Sequence, residues 1–108
     1  MRIEYKGEAP YYDYDMKENV ITINGKEFDL DKLREDTEKE INIYDEDKNF
    51  VANIIIPPNE YEFVDTGKKD ENGDPIYEKI LKPLNLEKVR LVLWQKIEKP
   101  KNQLSEEV

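Results

Sequence analysis

The chain has 108 residues, with 17 Lys and Arg against 26 Asp and Glu for a formal net charge of −9, and it contains neither histidine nor cysteine. That length fits one domain. The two missing residue types exclude a disulfide framework, Cys- or His-based zinc sites, His-ligated haem, thiolate nucleophiles and Ser-His-Asp triads. The acidic excess opposes binding to nucleic-acid backbones and to anionic membranes, both of which are driven by Lys and Arg.

The opening residues Met1 to Lys6 lack the apolar stretch of a signal peptide, and no apolar run approaches membrane-spanning length, so a cytoplasmic location is expected. Next comes the patch Tyr11-Tyr12-Asp13-Tyr14-Asp15. Strand alternation places Tyr12 and Tyr14 on one side and Tyr11 on the other. Tyr11, Tyr12 and Tyr14 admit two readings: a protein-recognition surface, because tyrosine offers rigid contact area with one polar tip, or a strand edge covering the core.

The clearest local signal is Val20-Ile21-Thr22-Ile23-Asn24-Gly25-Lys26-Glu27-Phe28-Asp29-Leu30. Two alternating runs flank Asn-Gly, the dipeptide best suited to a type I′ turn. Folding there pairs Ile21 with Phe28 and gathers Ile21, Ile23, Phe28 and Leu30 on one face. Asp31 to Glu38 reads either as one or two helical turns or as an acidic loop. Ile41 to Tyr44 resumes a strand, Asp45 to Asn49 is a polar turn, and Phe50 to Ile56 has the β-branched apolar content of a central strand, ended by Pro57-Pro58. Two further strands are expected over Tyr61 to Asp65 and Ile76 to Leu81, joined by an exposed loop from Thr66 to Pro75. The last strand is expected over Lys88 to Trp94. The sum is a mainly β domain over residues 1–95, a small antiparallel sandwich or barrel of six or seven strands with little or no helix. Residues 96–108 read as a tail, free or docked on a partner.

No catalytic, cofactor-binding or metal-ligating set is expected. Asp70-Glu71-Asn72-Gly73-Asp74 opens like a calcium loop, but such a loop needs glycine at its sixth position and glutamate at its twelfth, and Pro75 and Leu81 stand there. The single serine, Ser105, has no candidate base, no phosphate-binding glycine motif occurs, and the carboxylates are too many and too solvated for spacing to select a pair.

The segment Asn19 to Leu33, with its strand, Asn24-Gly25, Phe28-Asp29-Leu30 and short acidic stretch, followed later by Asn53-Ile54-Ile55-Ile56-Pro57-Pro58, resembles small proteins encoded among the tail genes of tailed phages and prophages. The resemblance implies an accessory or assembly role and brings no catalytic residue with it. The leading expectation is a non-enzymatic interaction module that contacts another protein, such as a phage structural or assembly protein, or a copy of itself, in the host cytoplasm or on the virion. The alternative is an acidic DNA mimic that inhibits a nucleic-acid-binding host factor, although interleaved lysines dilute its negative field.

A charge of −9 on a small body is self-repulsive, and salt screens that repulsion over about 10 Å at 0.1 M. Sodium chloride at that concentration is therefore expected to raise the urea midpoint; a steady fall would show that specific ion pairs outweigh the net charge.

Overall fold

A computed structural model describes residues 1–97 of the chain. In chain order they form β1 (Arg2–Lys6), β2 (Tyr14–Lys17), β3 (Val20–Ile23), β4 (Lys26–Asp29), a helical turn α1 (Leu30–Leu33), β5 (Lys39–Tyr44), β6 (Phe50–Ile56), β7 (Tyr61–Lys69), β8 (Pro75–Leu81), a 3₁₀ turn (Leu86–Lys88) and β9 (Arg90–Trp94).

The Asn24-Gly25 dipeptide does what its chemistry favours: both residues take positive φ, 51° and 77°. The turn sets the register of β3 against β4, with Ile21 opposite Phe28 and Ile23 opposite Lys26. β2 joins the other side of β3 to complete a three-stranded sheet. Asp29 ends β4 and caps α1, its side chain accepting from the backbone N–H groups of Asp31 (3.1 Å) and Lys32 (3.4 Å). Leu30, buried, anchors that turn.

The second sheet has four strands in the order β1-β9-β6-β5. β6 is its centre, antiparallel to β5 on one side and β9 on the other. Ala52, Ile54 and Ile56 point inward from β6 beside Ile43 of β5 and Leu91 and Leu93 of β9, and the three-stranded sheet supplies Ile21 and Ile23 to the same buried cluster. Each of the Ile and Leu side chains in this set contributes roughly 1.5–3 kcal/mol on burial. A register shift between Ile43 and Tyr44 leaves Val51 as the extra residue of a bulge, so that Val51 is buried as well and Phe50 lies opposite Tyr44.

Two packed layers make this a mainly β sandwich; the sheets do not close into a barrel. The described residues form nine strands where six or seven were expected. β1, with only Ile3 and Tyr5 on one side, has too little alternation to stand out, and it is ordered by parallel pairing with β9, from Arg2 beside Arg90 to Lys6 beside Trp94. A parallel partner so distant in the chain leaves no local signature. β2 likewise exists through its pairing with β3. The expected start of the last strand at Lys88 is instead the end of the 3₁₀ turn, where Asn85 accepts from the N–H of Glu87 and Arg2 N–H donates to the Val89 carbonyl. The expected loop from Thr66 to Pro75 is shorter than read, because β7 runs on to Lys69.

After β9 the chain is held by Gln95 N–H to the Lys6 carbonyl (3.0 Å) and Lys96 N–H to the Pro10 carbonyl (2.7 Å). From residue 98 onward the expected tail over 96–108 lies outside the described residues. Among the described residues no helix is long and apolar enough to cross a membrane.

Gly25→Val is expected to destabilise the domain by about 1 kcal/mol or more, because a β-branched residue is strained at positive φ. Urea unfolding checks this, and an unchanged midpoint would count against the turn as a determinant of the fold.

Candidate interaction site

β6 and β9 are neighbours in the sheet, yet the chain does not pass directly from one to the other. Pro57-Pro58 ends β6, and β7 and β8 form a separate two-stranded sheet before the chain returns. The base of this excursion is closed by Lys82 N–H donating to the Glu60 carbonyl at 2.8 Å. β7 and β8 pair antiparallel with Phe63 opposite Lys79, Val64 opposite Glu78 and Asp65 opposite Tyr77.

Successive strand residues point to opposite faces, so the doublets Phe63-Val64, Ile76-Tyr77 and Ile80-Leu81 put apolar side chains on both faces of the hairpin. That pattern belongs to strands covered on both sides. Here both sides are open. Phe63 is 68% exposed and Tyr77 56% on one face, with Leu81 beside them; Val64, Ile76 and Ile80 are about two-fifths exposed on the other. The hairpin is an arm that, among the described residues, hydrogen-bonds to no other strand.

The arm is nonetheless well built at tip and root. At the tip, Asp70 accepts through Oδ1 from the N–H groups of Asn72 and Asp74, both at 2.9 Å. The carboxylate that opened the apparent calcium motif thus holds the turn, and the described residues contain no cluster of three or more acidic side chains placed to hold a metal ion. Midway, Asp65 caps the N–H of Gly67, whose φ is +79°, and the Thr66 hydroxyl donates to the Ile76 carbonyl at 2.8 Å.

At the root, the acidic segment after α1 grips the arm. Asn59 N–H donates to the Glu35 carbonyl (2.8 Å), Arg34 Nε donates to Asn59 Oδ1 (2.7 Å), and Asn59 Nδ2 donates to Asp36 Oδ1 (3.0 Å). The same Asp36 oxygen accepts a short bond from the Tyr61 hydroxyl. Lys79 Nζ stands 4.0 Å from the centre of the Tyr61 ring, and Lys88 pairs with Glu60 at 3.0 Å. The hydrogen bonds from Tyr61 and Asn59 hold the Asp36 carboxyl below its ordinary value, and the bond to Asp36 raises the Tyr61 phenol above its own.

The structure places Tyr11, Tyr12 and Tyr14 elsewhere. All three are partly buried and pack against the core. Tyr11 donates to the Gly7 carbonyl at 2.7 Å and its ring lies 4.8 Å from that of Tyr5. Tyr12 N–H donates to the Trp94 carbonyl, and burial, then the charge of Asp45, pushes its phenol up. Tyr11 and Tyr12 therefore sit at the Trp94 end of β9, whereas the arm leads back into its Arg90 end. Trp94 is occupied on the outer face of the four-stranded sheet. Its Nε1 donates to Asn53 Oδ1 at 2.6 Å, Asn53 Nδ2 donates to Asn42, and its ring stacks on Phe50, which stacks on Tyr44.

Phe63, Val64, Ile76, Tyr77, Ile80 and Leu81 went unnoticed as candidates because each of their segments looks like an ordinary strand. The signal that marks them is the apolar doublet, which gives a strand two apolar faces. Comparison of the chain with protein-family models, curated proteins and solved structures yields no match.

The root bonds carry a pH window. Asp36, lowered when folded, contributes above its ordinary value of 3.8, and the contribution is lost as pH falls through the lower folded value. Tyr61, raised when folded, contributes below 10.0, and that contribution is lost as pH rises through the higher folded value. The NMR signals of the Asn59 side-chain amide and the Tyr61 ring are expected to hold steady between these limits and to shift together on acidification. Tyr61→Phe should leave Asn59 responding alone, and unchanged coupling in that variant would refute the shared clamp.

Proposed function

We propose that this protein is a non-enzymatic interaction module that engages another protein through the β7–β8 arm. One observation carries the reading: six large apolar side chains are exposed on both faces of a hairpin that, among the described residues, joins no other sheet. Contiguous exposed apolar surface marks interaction sites, and aromatic residues are the usual anchors. A two-stranded hairpin is marginal in water unless something covers it, so a partner stabilises the arm as the arm supplies contact area. The root clamp presents it at a set angle, which lowers the ordering cost of association.

The Asn19 to Leu33 resemblance supports a more specific form of the proposal: an accessory or assembly protein of a phage tail, acting in the host cytoplasm, with a phage structural or assembly protein as the arm's partner. The tyrosine patch is the weaker contact candidate, because Tyr11, Tyr12 and Tyr14 already cover the core.

The test is calorimetric titration against the products of the neighbouring genes. Phe63→Ser with Tyr77→Ser is expected to weaken binding about thirtyfold or more, as removal of central aromatic anchors does, with little change in melting temperature. Excision of residues 61–81, with Glu60 joined to Lys82 by a short glycine link, should leave a folded sandwich that no longer binds. Binding that survives both changes would overturn the reading. Capture of a DNA-binding enzyme in competition with DNA, independent of the arm, would favour the acidic mimic instead.

A further inference from the structure

The two faces of the arm differ in charge. Phe63 stands opposite Lys79 and Asp65 opposite Tyr77, so one face carries the apolar diagonal Leu81-Phe63-Tyr77 flanked by one cation and one anion. Glu62 stands opposite Ile80 and Val64 opposite Glu78, with Ile76 two residues before Glu78. The other face therefore carries the aliphatic diagonal Ile80-Val64-Ile76 flanked by two carboxylates. This face is continuous, because Glu62 and Val64 precede the register shift of β7 and β8 runs unbroken from Pro75 to Leu81. Neither Glu62 nor Glu78 has an ion-pair partner among the described residues. Lys79 belongs to the opposite face, where it stands over the Tyr61 ring.

We propose that the Val64, Ile76 and Ile80 face takes an amphipathic helix of the partner protein that carries Lys or Arg beside its apolar stripe. This deepens the interaction reading above and rests on it. The dimensions suit one helix. From Ile76 to Ile80 the stripe runs about 13 Å, and helix positions i, i+4 and i+8 span about 12 Å. Two paired strands also make a face about one helix wide. Charge selects the partner. Basic flanks pair with Glu62 and Glu78 as the aliphatic stripe is covered, whereas a neutral or acidic segment would desolvate them without compensation. A second copy laying the same face on this one would set these carboxylates against their own kind, in two chains that each carry −9. The same sign opposes anionic membranes and nucleic acids and speeds encounter with a cationic protein. The Phe63 and Tyr77 face is left for the rest of the partner.

Fluorescence anisotropy of labelled helical peptides titrated with the full chain tests this, with circular dichroism confirming that each variant is folded. One peptide of about 18 residues, long enough to hold a helix, carries leucines at helical spacing flanked by lysines. Its counterpart carries the same leucines flanked by glutamates. The lysine peptide is expected to bind about tenfold more tightly or better, since opposite charges across an interface attract and like charges repel. Glu62→Lys with Glu78→Lys should reverse that preference. Val64→Ser with Ile80→Ser should weaken the lysine peptide about tenfold or more, as loss of buried anchors does. Phe63→Ser with Tyr77→Ser, on the opposite face, should leave it nearly unchanged. Glu27→Lys with Glu46→Lys makes the same charge change at exposed positions of the body and should keep the preference for lysine. Equal binding of the two peptides overturns the proposal, as does binding of neither or a preference that the body variant reverses as readily as the arm variant. If the product of a neighbouring gene then still binds through Phe63 and Tyr77, the interaction reading stands and the helix site falls.

Discussion

The structure depends on the antiparallel pairing of β6 with β5 on one side and β9 on the other. β6 is the one strand of the larger sheet covered almost throughout: Val51, Ala52, Ile54 and Ile56 are buried in the core, and Asn53, on the opposite face, is only 7% exposed. Its position lets β9 form, and β9 in turn orders β1. The inward row from Ala52 to Ile56 is also the surface on which the three-stranded sheet lays Ile21 and Ile23. A core this small, in a chain with 26 acidic residues, leaves little redundancy.

The arm occupies the connection that this pairing requires. β6 and β9 are antiparallel neighbours and a tight hairpin would join them, yet the chain leaves after Pro57-Pro58 and returns through Asn85 and the 3₁₀ turn. Because the Glu60–Lys82 backbone bond closes the base, the sandwich does not need what lies beyond it. Stability is thus concentrated in the two sheets, and the root of the arm is held to them by Arg34, Glu35, Asp36 and Lys88 acting on Asn59, Glu60 and Tyr61. That separation allows a surface to carry exposed Phe and Tyr without compromising the core.

The electrostatics follow the same division. On the body, several cations have local partners, with Arg90 on Glu4, Lys39 on Glu35 and Lys88 on Glu60. The bond from Arg90 is the chief reason the Glu4 carboxyl is lowered, and Lys88 acts likewise on Glu60. These exposed pairs contribute little to stability individually. On β7, Glu62 and Asp65 are separated from Lys69 by the register shift between Asp65 and Lys69.

What the sequence by itself determined was local. Asn24-Gly25 set the β3–β4 register because few other dipeptides tolerate two positive φ values, and Phe50 to Ile56 declared a central strand by β-branched content alone. The absence of histidine and cysteine removed whole classes of chemistry. The tertiary structure decided everything that rests on a distant partner. β1 is a strand because β9 lies beside it. Tyr12 and Tyr14 serve the core because the end of β9 and strand β3 reach them. Whether the doublets Phe63-Val64 and Ile76-Tyr77 are core or surface depended on what covered their strands. Alternation reports how many faces of a strand are apolar; only the packing of the other strands reports that both faces of this arm stand open.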